Sequence, residues 1–432
     1  MKRNFYFLLA AAALLAASCT KEEVPAKSTD IPLDGFYKDL FLDGGIKASA
    51  MKSMPAAEML GLSQDCLLIS PVNDGYSKAD TLAQDRAFIG CDEDLNGCLL
   101  YPDGAPRYRC VFVNGGNATS HGRSMKEEGR ENFRTFVRNG GCYIGSCAGA
   151  FVAALGSDSK LNEYYIGLWP SRATNCHLSD AHTGLSIDVG SPLLKYYNFG
   201  GDRYVADVYH NGGCCLDEEY TIPGTEVLTR YDYDVDPDEH NHMHMKPASW
   251  AWKADKRSGR VIMSGSHPEN VTSGERRDLM AAYLKYAMAG QGLTPVKGTL
   301  KGGETIVMDK STTDKDPAHT RIGDMQCHHF AMDIPSGARN VKVTLRPKEN
   351  FSFRLMLARN TFAYEKAAEH KFECTEGNIA EASFESLQAG QWYVCVQCTS
   401  VPKSEVGTYG TVYTDNAILN GAAYELTLNY EQ

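Results

Sequence analysis

The chain has 432 residues, a hydrophobic share of 43% and a formal net charge of −11. That length is enough for two or three domains, and the apolar content is enough for a buried core in each. No block of basic residues offsets the acidic balance, which excludes nucleic acid as a partner because phosphate binding needs a clustered positive surface.

At the amino end, Met1-Lys2-Arg3 is a short basic stretch and Phe5 to Ala17 an apolar one. The apolar run is too short to span a bilayer comfortably and reads as a signal peptide. It closes on Ala16-Ala17-Ser18-Cys19, which resembles the lipobox of bacterial lipoproteins with Ala16 where leucine is usual. The resemblance implies cleavage before Cys19, lipid (palmitate) on that residue, and an extracytoplasmic protein anchored to the outer membrane or cell surface. The other reading is an ordinary cleaved secretory signal. Residues 1–18 are thus expected as leader and 19–35 as tether.

Beyond the tether, short apolar runs alternate with helix-like stretches. "DLFLDGG" (39–45), "CLLIS" (66–70) and "CVFVNGG" (110–116) read as strands, and "PAAEMLGL" (55–62) as a helix. "MKEEGRENFRTFVRNG" (125–140) carries Phe133, Phe136 and Val137 at helical spacing, with Asn139-Gly140 as a stop. "CYIGS" (142–146) is a further strand. Continuous apolar strands between helices predict an α/β layered domain, its sheet mostly parallel and flavodoxin-like with helices on both faces. "YVADVYHNGG" (204–213) and "SWAWKADKRSGRVIMSGSHPEN" (249–270) add strands, and "GERRDLMAAYLKYAMAG" (274–290) reads as a closing amphipathic helix. After Gly292 the period shifts to two in "NVKVTLRP", "FSFRLMLAR", "WYVCVQC" and "YELTLNY". That pattern predicts an antiparallel β-sandwich over 293–432, after an α/β domain over 36–292.

The chemistry centres on "GGCYIGSCAGAFVAALG" (140–156). A strand turning sharply into a helix would lift Cys147 to the sheet edge, with small neighbours that the tight turn requires. A nucleophilic cysteine needs a base and an orienter. "SGSHPE" offers His267 and Glu269, and Gly115-Gly116 offers backbone amides on a facing loop. Together these motifs resemble the class I glutamine amidotransferase-like superfamily, and most nearly the N-terminal domain of biotin-protein ligases, over about residues 36–290. The resemblance implies Cys147 as nucleophile, His267 as base and Glu269 as its orienter. It implies oxyanion amides from Gly116 and Ala148. Gly115 is the substitute for Gly116, since the usual Gly-Gly-Pro ends here in Asn117. No synthetase domain follows, so the expected activity is hydrolysis of an amide or peptide bond through a thioester. The expected partner is then an amide- or peptide-containing substrate, with no cofactor called for.

Other readings stay open. The fold could serve a non-catalytic surface binding protein, its β-sandwich gripping a glycan or a protein. "DPDEHNHMHM" (236–245) alternates His240, His242 and His244, which a strand would set on one face as zinc or copper ligands. No metal ligand is assigned in the main reading, and Cys327-His328-His329 is taken as structural. His121 is read as a surface loop residue. Apart from Cys19 and Cys147, the cysteines fall in even numbers on either side of residue 300, which permits disulfides, Cys91 with Cys98 among them, or simply buried thiols.

Overall fold

In the computed structural model the described residues are 35–44, 51–67, 84–233, 243–407 and 410–432. The leader, Cys19 and nearly all of the tether lie outside them, as do His240 and His242. The strands Gln64–Leu67, Lys38–Asp43, Tyr108–Val113, Cys142–Ser146 and Val261–Ser264 lie side by side and parallel. Each divides its side chains between two cores. Leu40, Leu42, Cys110, Phe112, Cys142, Ile144 and Ile262 enter one. Phe41, Val111, Val113, Tyr143, Val261 and Met263 enter the other. Burial on both faces is why these strands read as unbroken apolar runs.

The helix Gly274–Met288 covers the first face, and Lys126–Arg138, through Phe133, Phe136 and Val137, covers the second. The closing helix is less amphipathic than its sequence suggests. Met280, Ala281, Ala282 and Ala287 are buried together with Leu279, Tyr283, Leu284 and Met288.

The expectation of a mostly parallel sheet is corrected. The full sheet has eleven strands and is mixed. Past Val261–Ser264 it continues antiparallel through Pro247–Trp252, Glu226–Asp232, Ala181–Ser186 and Tyr204–His210. At the opposite edge the hairpin Lys403–Gly407/Gly410–Asp415 pairs antiparallel with Gln64–Leu67 through Gly410 and Leu67. Pro247–Trp252 reaches Val261–Ser264 by a short reversal rather than a helical crossover, which sets the two strands antiparallel, whereas the edge hairpin comes from far downstream of the strand it joins.

Downstream, a five-stranded sheet runs in the order Val296–Leu300, Cys327–Ile334, Gly390–Cys398, Phe353–Arg359, His370–Cys374. It faces a four-stranded sheet of Thr305–Met308, Tyr424–Glu431, Arg339–Pro347 and Ala380–Ser386. Alternation puts Phe330, Met332, Leu355, Leu357, Val394 and Val396 between them. Residues 365–367, after the strand Phe353–Arg359, form a turn. Arg107 joins this layer to the larger sheet, with its guanidinium on the Asp324 carboxylate at 2.8 Å and both side chains 1% exposed. Cys327 and Cys395 apart, the described cysteines are free thiols. Cys91 and Cys98 do not bridge: the Cys91 thiol donates to Glu93 and Asp94, and the Cys98 thiol to the Ala87 carbonyl.

Candidate functional site

The strand Cys142–Ser146 does end in an elbow. Cys147 has φ +49°, and the helix Ala148–Ala153 starts at the next residue. That left-handed backbone is uncommon outside glycine and is held by its surroundings. A Cβ on Gly145 would come within 2.4 Å of the Gly149 backbone, and one on Gly149 within 2.0 Å of the Val113 carbonyl oxygen. The small residues around Cys147 are therefore the condition for the turn.

His267, Glu269 and Gly115 gather at this elbow. The His267 Nδ1 and Glu269 Oε1 are 2.8 Å apart, and Ser146 donates its hydroxyl to the same oxygen at 3.1 Å. A Cβ on Gly115 would lie 2.5 Å from His267 Cε1 and 3.3 Å from Cys147 Cβ. Gly115 thus sits directly against both side chains, and its own N–H donates to Asn114 Oδ1 at 2.7 Å. Gly116, next along, has φ +138°. Ala148 is the first residue of the short helix. The Cys147 thiol donates to the Asn211 carbonyl at 3.3 Å, and the Tyr209 carbonyl accepts from the His267 N–H at 2.8 Å.

Burial opposes a charge on the His267 imidazole, but Glu269 and the hydrogen bond with Cys147 outweigh it and raise its pKa to about 10. At neutral pH the ring is then a protonated partner of the Glu269 carboxylate. His210 nearby goes the other way: burial, then the charge on His267, lower its pKa to about 4. His121 is not a surface residue. It is buried, with Nε2 2.9 Å from Asp43 Oδ2.

The expectation of a cysteine hydrolase acting through a Cys147-His267-Glu269 triad is corrected by a second cluster. Among the described residues, the Cys and His side chains arranged as metal ligands are Cys327, His329 and Cys395, each offering one donor atom, all within 4.8 Å of one another. This favours the metal-binding alternative, though at other histidines than the 236–245 run. Of that run, the described His244 lies 3.6 Å from Asp232. Cys327 and His329, read from the sequence as part of a structural triplet, belong to this cluster. Strand alternation splits that triplet. Cys327 and His329 share one face, and His328 turns to the other, its Nδ1 2.9 Å from the Tyr424 hydroxyl. Cys395 is the register partner of His329 on the neighbouring strand.

The electrostatics of this cluster differ from those at the elbow. His329 is fully buried, and among the described residues neither ring nitrogen has a hydrogen-bond partner. Its ring stacks on Phe362 at 4.5 Å and meets Tyr364 edge-on at 4.7 Å. Leaving such a group unmatched costs about 1–3 kcal/mol. A tetrahedral ion with metal–sulfur and metal–nitrogen bonds of about 2.3 and 2.0–2.1 Å needs its ligand atoms roughly 3.5–3.8 Å apart. Rotamer adjustments of about 1 Å would close the observed set onto an ion. A cleft of about 60 Å³, lined by Gly35, Asp103, Lys297, Gln326, Cys327 and Tyr364, borders the cluster at Cys327. Sequence reasoning misses this site because Cys395 is distant along the chain. The signal it does contain is Cys327 and His329 two apart in a strand.

A family model described as "Biotin-protein ligase, N terminal" matches residues 106–164. No curated protein matches the chain. Among solved structures, a glutamine amidotransferase is 17% identical, covering 42% of this chain and 80% of its own, with a TM-score of 0.30. A putative ThuA-like protein from Bacteroides uniformis is 12% identical over 58% of this chain and 91% of its own, with a TM-score of 0.34. The pre-peptidase C-terminal domain of a Bacillus anthracis collagenase is 16% identical over 32% of this chain and 100% of its own, with a TM-score of 0.21. The match to the biotin-protein ligase N-terminal family is confined to residues 106–164.

Proposed function

We propose that this is a transition-metal-binding protein whose Cys327, His329 and Cys395 hold an ion of the zinc or copper class. The observation that carries this is the His329 imidazole, fully buried between two thiols with neither ring nitrogen matched among the described residues. Buried polar groups find partners, and an imidazole grouped with two thiols is a donor set for a borderline or soft cation. Carboxylates are absent from the cluster, so calcium and magnesium, which take oxygen ligands, are poor fits. The ion would match the imidazole nitrogen and convert the thiols to thiolates, releasing their protons to solvent.

Elemental analysis tests this reading. The full chain is reduced, loaded separately with Zn²⁺ and with Cu(I), desalted and analysed. One ion per chain is expected, absent from His329→Ala and from Cys395→Ser. Wild-type protein that retains neither metal, or variants that retain as much as wild type, would overturn it.

A further inference from the structure

The five-stranded sheet has an outer face, and that face is chemically unusual. In an antiparallel sandwich strand the residues turned away from the core are ordinarily polar and wet. Here the core side takes Phe330, Leu355, Leu357, Val394 and Val396. The opposite side carries a separate small buried cluster of Cys327, Met356, Ala358, Ala363 and Cys395, with Tyr364 and Ala368 packed against it. Ala363, Tyr364 and Ala368 come from the segment that follows the strand Phe353–Arg359, and they lie over the sheet as a cover.

The register makes the cluster more specific. His329 pairs with Cys395, and Cys395 pairs on its other side with Met356. Three neighbouring strands therefore place imidazole, thiol and thioether in one row on one face. Direct partners of this kind have Cβ atoms about 4.5–5.5 Å apart, within reach of a common ion for the flexible methionine side chain. Met356 is fully buried.

We propose that the Met356 thioether is a fourth ligand and that the ion is Cu(I). This rests on the metal-site reading above. Thioether sulfur is a soft donor that favours Cu(I) and adds little for zinc, whereas thiolate and imidazole serve both. Met356 is thus the residue that separates the two metals. Phe362 and Tyr364 around His329 keep the centre dry, and an apolar shell of this kind tunes the affinity of the metal it surrounds. Binding is a ligation only. Cu–S and Cu–N bonds form, and each thiol that ligates gives up its proton to solvent. No oxidant or reductant is required.

The test compares wild-type full-length protein with Met356→Leu, a near-isosteric change that cores tolerate. Reduced protein is titrated with Cu(I) in competition with bathocuproine disulfonate, and in parallel with Zn²⁺ against a chromophoric chelator. Changes beyond the first ligands alone cost about 10–100-fold in metal affinity, so Met356→Leu should weaken Cu(I) by at least about tenfold and leave Zn²⁺ unchanged. X-ray absorption of the copper form should count three sulfurs in wild type and two in the variant. Equal Cu(I) affinities, or two sulfurs in both proteins, would overturn the thioether ligand. If Cys395→Ser still abolishes binding of both metals in that case, the three-residue site stands and only the inference about Met356 falls. Wild-type protein that binds neither metal removes the site itself.

Discussion

Two clusters in this molecule pair cysteine with histidine, and they solve the problem of a buried imidazole in opposite ways. At the elbow, His267 has Glu269 at 2.8 Å, and its raised pKa reflects a charge matched inside the protein. On the outer face of the five-stranded sheet, His329 has aromatic rings on its sides and, among the described residues, no polar partner for either nitrogen. Residue types alone do not separate the two. What separates them is whether the local protein completes the polar group or leaves it to be completed by something else.

The comparison breaks first at Glu269. Glu269→Gln leaves the protonated His267 without its counter-charge. Breaking a buried pair costs about 3–5 kcal/mol, and the low end, about 3, applies because the His267 edge reaches solvent. Urea unfolding at pH 7 measures the loss, and an unchanged midpoint would show that Glu269 does not hold the charge. The pH dependence has a definite sign. The folded pKa of His267 lies above its unfolded value, so its contribution is full below about pH 6.5 and is lost as pH rises toward about 10. The Glu269→Gln protein should lack that decline. His210 has the opposite sign: its depressed pKa takes stability away as pH falls from about 6.5 toward about 4, and His210→Phe should remove this acid limb.

The second effect belongs to the other cluster. A metal held at one hundred times its Kd stabilises the folded chain by about 2.7 kcal/mol. That rise in Tm should vanish in Cys395→Ala and persist in Cys147→Ala. A Cys147→Ala protein that loses it would show that the two clusters are not independent. The smallest effect is on the metal-free protein. His329→Leu removes an unmatched buried polar group, so the apo variant should be more stable than apo wild type by about 1 kcal/mol. Apo His329→Leu unfolding at lower denaturant than wild type would mean that the imidazole is already satisfied.

Much of the α/β layer is legible from local pattern. Phe133, Phe136 and Val137 fall at helical spacing and are all buried. "CYIGS" followed by small residues points to the elbow, because only small side chains fit where Gly145 and Gly149 touch backbone. His267 and Glu269 meet because they are two residues apart on one loop. The antiparallel flanks are not legible. Nothing in "YVADVYH" or in residues 403–415 states which neighbour each strand will take, and that choice sets parallel against antiparallel. His121 escapes a local reading for a similar reason: its partner, Asp43, ends a strand far earlier in the chain.

The sequence by itself determined what shares a face within one element. Period two put Cys327 with His329 and turned His328 away, and a turn of small residues set Cys147 at a strand end. Only the tertiary structure decided which elements lie side by side. Cys395 and Met356 reach His329 through the pairing of three strands whose register is fixed by their inward apolar residues, since a one-residue slip would turn every side chain to the opposite face. A site assembled across strands is therefore written in the pairing, and the pairing is chosen by the core on the other side of the sheet.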